Sequence, residues 1–201
     1  VSSVTDTAGN SYAFATGLTS GYGDRLELWY AKNISANSSN VVNVAFNSSV
    51  TYRVVNVAQY SGVDQLSPLD ATAISTTQSG STITSNSFST TFPDEVIISV
   101  PQVASSLGSW TAGSGYQLRV QDSPSKIVMI QDRIVSSTQS NITANATNSS
   151  TNNKTMIVAT FKAAPGSPLP SGGSTSVFGF TMNTGTNPVP SCAIVTVRKY
   201  Y

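Results

Sequence analysis

The chain has 201 residues, a formal net charge of +1 and no histidine. Charged residues make up only 9% of it and hydrophobic residues 39%, which excludes a nucleic-acid footprint of clustered basic groups and argues against general disorder. Without histidine the commonest general base and the commonest neutral metal ligand are missing, so a Ser-His-Asp site is excluded as well.

The length suits one large β-domain with a sizeable core. Ser, Thr and Asn make up 73 residues, the polar but uncharged composition of many secreted and cell-surface β-proteins. Cys192 is the single cysteine, which excludes an intrachain disulfide framework and a cysteine-based zinc site. It sits in a strand pattern, so it reads first as a small buried hydrophobe and second as an interchain disulfide or reactive thiol. No apolar run reaches the roughly 18–20 residues of a membrane span. The chain opens at Val1 with neither an initiator methionine nor a signal-peptide pattern, so a mature, processed or excised chain is expected.

Taken in order, the chain is nearly all strand signal. Val1–Thr5 and Ser11–Thr16 flank Asp6–Asn10 and predict a hairpin turning at Gly9–Asn10. Arg25–Asn33 alternates Leu26, Leu28 and Tyr30 against Glu27, Trp29 and Ala31. Val41–Phe46 puts Val42, Val44 and Phe46 on one face. Val50–Tyr60 starts with Val50, Tyr52 and Val54 inward and continues with Val55 and Val57, a phase change that predicts a bulge near Val54–Val55. Ser61–Asp70 is a loop, and Thr72–Thr77 and Phe88–Phe92 are weak, Ser/Thr-rich edge strands. Glu95–Val103 is a buried strand. Gly108–Gly115, with Trp110, is a loop. Tyr116–Val120, Lys126–Val135 and Thr155–Lys162 complete the main body. Strands this short and close together predict an all-β fold, an immunoglobulin-like or jelly-roll β-sandwich, over residues 1–163.

Residues 164–174 form a Pro/Gly/Ser linker that cannot be helix or central strand. Residues 175–201 read as a hairpin. Phe178, Phe180 and Met182 alternate with Val177 in its first arm. In its second, Ala193, Val195 and Val197 face one way and Ile194, Thr196 and Arg198 the other. A lone hairpin is marginal in water, so this one must dock on a sheet. Val177, Phe178, Phe180, Met182, Ala193, Ile194, Val195 and Val197 are the candidate anchors.

Four stretches carry a resemblance: Val4–Tyr12 (VTDTAGNSY), Trp29–Ile34 (WYAKNI), Gln59–Asp64 (QYSGVD) with Pro68–Asp70, and Gln131–Val135 (QDRIV). Together they span most of the main body and resemble a family of extracellular prokaryotic β-sandwich domains. That resemblance implies a surface or adhesion module and no enzymatic activity. In the family a hairpin precedes the VTD turn; here it is missing before Val1, and the tail looks like its replacement. The tail can fold back into its own sandwich, a circular permutation, or fill the gap in the next molecule, a head-to-tail homopolymer of identical subunits. A donor segment at the other chain end is a third possibility. With its linker, low charge and glycosylation signals, the chain resembles the pilin subunit of archaeal thread filaments. The resemblance implies an extracellular, cell-surface filament serving adhesion or biofilm formation, with surface glycans or other cells as further partners.

Seven sequons occur, at Asn33, Asn37, Asn47, Asn141, Asn145, Asn148 and Asn153, where about four are expected by chance in a chain this rich in Ser and Thr. They cluster in turns and strand ends, so N-linked glycans are expected; no cofactor is. Asp64, Asp70, Asp122 and Asp132 lie near turns, where aspartates more often cap backbone than bind calcium. No pair of carboxylates is spaced for catalysis and no G-x-S-x-G elbow exists. Trp29 and Trp110 with the tyrosines leave open a rival reading, a monomeric carbohydrate-binding or adhesion module with its tail folded back. Lys32, Lys162 and Lys199 are candidates for isopeptide cross-links.

Overall fold

The computed structural model describes residues 1–35, 37–49, 51–105, 108–122, 125–167, 171–175 and 191–200, with backbone alone at 171–175, 191 and 200. The protein is an all-β sandwich, and no described helix is long and apolar enough to cross a membrane. Its strands are β1 (Ser3–Asp6), β2 (Tyr12–Thr19), β3 (Arg25–Lys32), β4 (Val42–Ala45), β5 (Tyr52–Ser61), β6 (Leu69–Ile74), β7 (Thr82–Thr84), β8 (Asp94–Val103), β9 (Trp110–Ala112), β10 (Gln117–Gln121), β11 (Met129–Ser136), β12 (Asn145–Asn148), β13 (Lys154–Lys162), β14 (Ser171–Thr175) and β15 (Ser191–Tyr200).

Two five-stranded antiparallel sheets form the sandwich, ordered β10-β11-β8-β13-β6 and β14-β5-β15-β3-β2. The core between them holds Leu26 and Leu28 of β3, Ala58 and Tyr60 of β5, Val96, Ile98 and Val100 of β8, Ile157, Ala159 and Phe161 of β13, and Ile194 of β15. Each sheet is also covered outside. The three-stranded β7-β12-β9 sheet lays Ile83, Ala146 and Trp110 over Ile97, Met156 and Val158. The β1-β4 pair lays Val4, Val42 and Val44 over Ala31, Val57, Ala193 and Val195. The inner strands are thus buried on both faces, which is why Val96–Ile98 and Met156–Ala159 carry apolar residues on both faces.

Several local expectations change in this setting. β1 and β2 are not a hairpin: Val4 pairs with Val44 of β4, and Ala13 with Tyr30 of β3. The turn between them holds, with Gly9 at φ 77 and the Asp6 carboxylate accepting from Asn10 N (2.9 Å), Asn10 Nδ2 (2.7 Å), Tyr12 Oη (2.9 Å) and Asn40 Nδ2 (2.9 Å). It sends its two flanks into different layers. β5 keeps one register with β15 through Val54 and Val55, without the bulge. Val54 packs into the inter-sheet core and Val55 onto the outer one, so the phase change reports two buried faces, and Tyr52 is exposed. Trp110 lies in a strand, β9, rather than a loop. Phe88–Phe92 contributes only a bridge, Phe88 to Ile142, whereas β6 is an edge strand as expected.

One charged group is held inside without a carboxylate. Lys154 is fully buried, and its Nζ donates to the carbonyls of Gly80 (2.6 Å), Ser150 (2.6 Å) and Asn152 (2.7 Å). Burial lowers its pKa. Three carbonyls replace its hydration, so the ammonium ties two loops to the start of β13.

Candidate functional site

The slot between β3 and β5 is filled by β15. Its backbone pairs with β3 from Cys192–Lys32 to Lys199–Arg25, and with β5 from Ser191–Ser61 to Tyr200–Tyr52. A strand near the chain's last residues is therefore the middle of a five-stranded sheet. β14 pairs with the opposite side of β5, so β14 and β15 run parallel and clasp β5 between them. β14 precedes the first arm of the predicted hairpin, Val177–Met182, which lies outside the described residues. Part of the expected linker, Ser171–Ser174, belongs to β14, at the sheet edge where a Gly/Ser run is tolerated.

The side chains of β15 alternate between two cores. Cys192, Ile194, Thr196 and Arg198 face the other large sheet; Ala193, Val195 and Val197 face the β1-β4 pair, and none is more than 4% exposed. Burying Ile194, Val195 and Val197 stabilises the seat by roughly 5–9 kcal/mol. Of the predicted anchors, Ala193, Ile194, Val195 and Val197 are therefore brought together in the slot; Val177, Phe178, Phe180 and Met182 lie outside the described residues. Burial pushes the Cys192 thiol well up, so it stays protonated and acts as core.

The slot also holds a charge pair that sequence spacing did not reveal. Arg198 Nε donates to Asp24 Oδ2 at 3.1 Å, its Nη2 donates to the same oxygen, and Nη2 also reaches the Ala104 carbonyl at 3.2 Å. Asp24 is fully buried. It is fixed at the start of β3 by a turn in which Ser20 N donates to Asp24 O (2.7 Å) and Asp24 N to Ser20 Oγ (2.9 Å). Burial pushes its carboxyl up, against the hydrogen bond and charge of Arg198. The signal for this pair was available: a lone arginine shares a face with Ile194 in an apolar strand, and a buried guanidinium demands an acceptor.

The sequons divide by exposure. Asn33, Asn47, Asn141 and Asn153 are exposed, and Asn33 (φ 48) and Asn141 (φ 51) occupy left-handed turn positions. Asn37 and Asn145 are half-buried. Asn148 is 1% exposed, its Oδ1 accepting from Ser150 N, and it lies so close to Gly108 that a Cβ there would meet Asn148 Oδ1 at 1.9 Å. That packing leaves no room for a glycan on Asn148.

The four turn aspartates go to four separate places. Asp64 accepts from the backbone of Leu66 and Ser67, Asp70 from Thr91, Asp122 from Val128 N, and Asp132 from Arg119 Nε at 2.7 Å. Lys32 donates to the Leu66 carbonyl and Lys162 sits 4.6 Å from the centre of the Phe92 ring. Trp110 is core. Trp29 is half-buried, gives its Nε1 to Glu27 Oε2 (2.9 Å) and meets Phe14 edge-on, with ring centroids 5.6 Å apart.

No family model matches the chain, and no curated protein matches it. Among solved structures it is similar, at 14% identity over 84% of this chain and 89% of the other, to the C-terminal family 22 carbohydrate-binding module of Clostridium thermocellum Xyn10B, with a TM-score of 0.17. It is similar at 13% identity to a structure of infectious bursal disease virus Gt strain, over 89% of this chain and 50% of that one, with a TM-score of 0.09. Likenesses this distant carry no functional argument.

Another carboxyl is shifted from its ordinary state. Glu95, at the start of β8, is fully buried, and its Oε1 accepts from Phe92 N at 3.1 Å. Burial pushes it up to about 7; the Thr160 hydroxyl opposes this and the neighbouring Asp70 carboxylate adds to it. The folded state then holds a proton that the unfolded chain, with its ordinary value of 4.5, releases. Glu95 therefore adds most to stability below about pH 4.5, and that contribution is lost as pH rises to 7. Between pH 4.5 and 7 the wild type should lose melting temperature relative to Glu95→Gln, which keeps the neutral form; a difference between the two that does not change with pH counts against the assignment.

Proposed function

We propose that this chain is the structural subunit of a glycosylated extracellular filament, polymerised when β15 of one copy enters the β3–β5 slot of the next. The observation that carries the reading is the position of β15, which fills the slot between β3 and β5 in the middle of its sheet. Fifteen residues separate β14 from β15 in sequence, and a chain of that length reaches at most about 50 Å. The same registers, two cores and charge pair serve whether the strand comes from within the chain or from a second copy, which is the logic of domain swapping. A central strand passed between copies makes an interface like a domain core cut in two, the obligate kind.

The rival reading is a monomeric binding module whose tail closes its own sheet. It is favoured by the placement of β15 in the slot of the single chain. Its carbohydrate-binding version has less support, because Trp110 is core and Trp29 meets Phe14 edge-on rather than in a coplanar platform.

The exposed sequons support a sugar-coated surface, where glycans add solubility and shield backbone. Glycopeptide mass spectrometry of protein from its native source should find modification at several of Asn33, Asn47, Asn141 and Asn153 and none at Asn148; bare asparagines throughout would remove the glycoprotein part of the reading. For assembly, full-length protein should form thin fibres under negative stain and high-mass species in mass photometry, and removal of Gly173–Tyr201 should abolish both. Full-length protein that stays monomeric at every concentration would hand the case to the rival.

A further inference from the structure

We propose that the buried Arg198–Asp24 pair checks the identity and register of the strand in the slot, so that the slot accepts only a strand bringing a guanidinium to one position. Its occupant is then a second copy of this chain; that part rests on the strand-exchange reading above.

The apolar side chains of β15 cannot do this checking alone. On the outer face they run Ala193, Val195, Val197, three small groups of similar shape. A one-residue slip would turn every side chain to the wrong face and is forbidden by burial. A two-residue slip keeps the faces, and would ask only that Val197 stand where Val195 does now. On the inner face the same slip is a different matter, because it moves Arg198 away from Asp24. Asp24 has no exposed surface, is held in place by the Ser20 turn, and has one carboxylate oxygen, Oδ1, with no hydrogen-bond partner. A slipped strand would put Thr196 or Tyr200 toward it and leave a buried carboxylate without its cation.

Arg198 also ties together more than one strand. Its guanidinium joins Asp24 at the start of β3 to the Ala104 carbonyl just past β8, bridging the two large sheets. Two pairs inward, Thr196 lies opposite the fully buried Asn56 and its Oγ1 donates to the Asn56 backbone carbonyl at 3.5 Å. A buried ion pair is a poor choice for stability alone, since an apolar pair of the same volume often does better. It is a good choice for discrimination, because the penalty falls on every strand that fails to match it.

The test uses charge reversal in trans. Asp24→Arg and Arg198→Asp subunits, each alone, should assemble at least about a hundredfold less than the wild type. Mixed together they should form filaments of strictly alternating subunits, since each donor then meets a complementary slot. The double variant should assemble by itself and refuse wild-type subunits. Single variants that assemble normally would overturn the check. Recovery in the double variant but not in the mixture would keep the pair and overturn the exchange, placing β15 in its own chain. If the reversed subunits fail to fold, wild-type protein settles the point: a peptide of residues 191–200 should block growth at about a hundredfold lower concentration than the same peptide carrying Arg198→Gln. Equal potency of the two peptides would overturn the proposal.

Discussion

A strand in the middle of a sheet must be paired on both edges and covered on both faces, and here that strand is β15. Without it, β3 and β5 would each present a row of unpaired backbone groups, and two hydrophobic cores would open at once. Every other element is arranged around this demand. β14 covers the far side of β5, the β1-β4 pair closes the outer face, and the β8-β13 sheet closes the inner one. The requirement is for a strand of the right pattern in the slot; nothing in it requires that the strand belong to the same chain. The proposed exchange between copies uses that freedom.

Charge is scarce in this protein, and much of it is placed inside. Asp24 meets Arg198, Asp132 meets Arg119, Glu27 meets Arg25 at 2.9 Å, and Lys154 meets three carbonyls. Glu95 has no cation partner among the described residues, and burial raises its pKa to about 7. These groups share one physical rule: a buried charge survives only where its hydration is replaced, and otherwise it is neutralised. The outcome is a surface dominated by Ser, Thr and Asn, on which sequon asparagines at turns are the most accessible chemistry.

Strands whose partners impose a strict period were legible from residues alone. Arg25–Lys32, Val42–Ala45 and Cys192–Lys199 fold with the faces that their alternation assigns, and the double-sided burial of Lys154–Lys162 follows from the apolar run Met156–Ala159 at its centre. What escaped was partner choice. The turn at Asp6–Asn10 has hairpin chemistry, yet the strands on either side pair with β4 and β3, because outer-layer burial outweighs local turn preference. β7, β9 and β12 are three or four residues long, too short to display a period. Val54–Val55 shows that a phase change has two meanings, a bulge or a strand buried on both sides, and only the neighbouring layers decide between them. The Asp24–Arg198 pair joins residues 174 positions apart. No spacing rule reaches that far, although an arginine on an apolar face announces that some acceptor must exist.

The central claim is that β15 of one copy sits in the slot of another. Ala193 lies opposite Ala31 across the β15–β3 ladder, so cysteines placed at these two positions, with Cys192 replaced by serine, would close a disulfide across the slot on mild oxidation. Non-reducing electrophoresis of the assembled, oxidised protein then reads which chain supplies the strand. The account predicts a ladder of covalent multimers that collapses to monomer on reduction. A single monomer band, shifted by an internal disulfide and free of higher species, would contradict it.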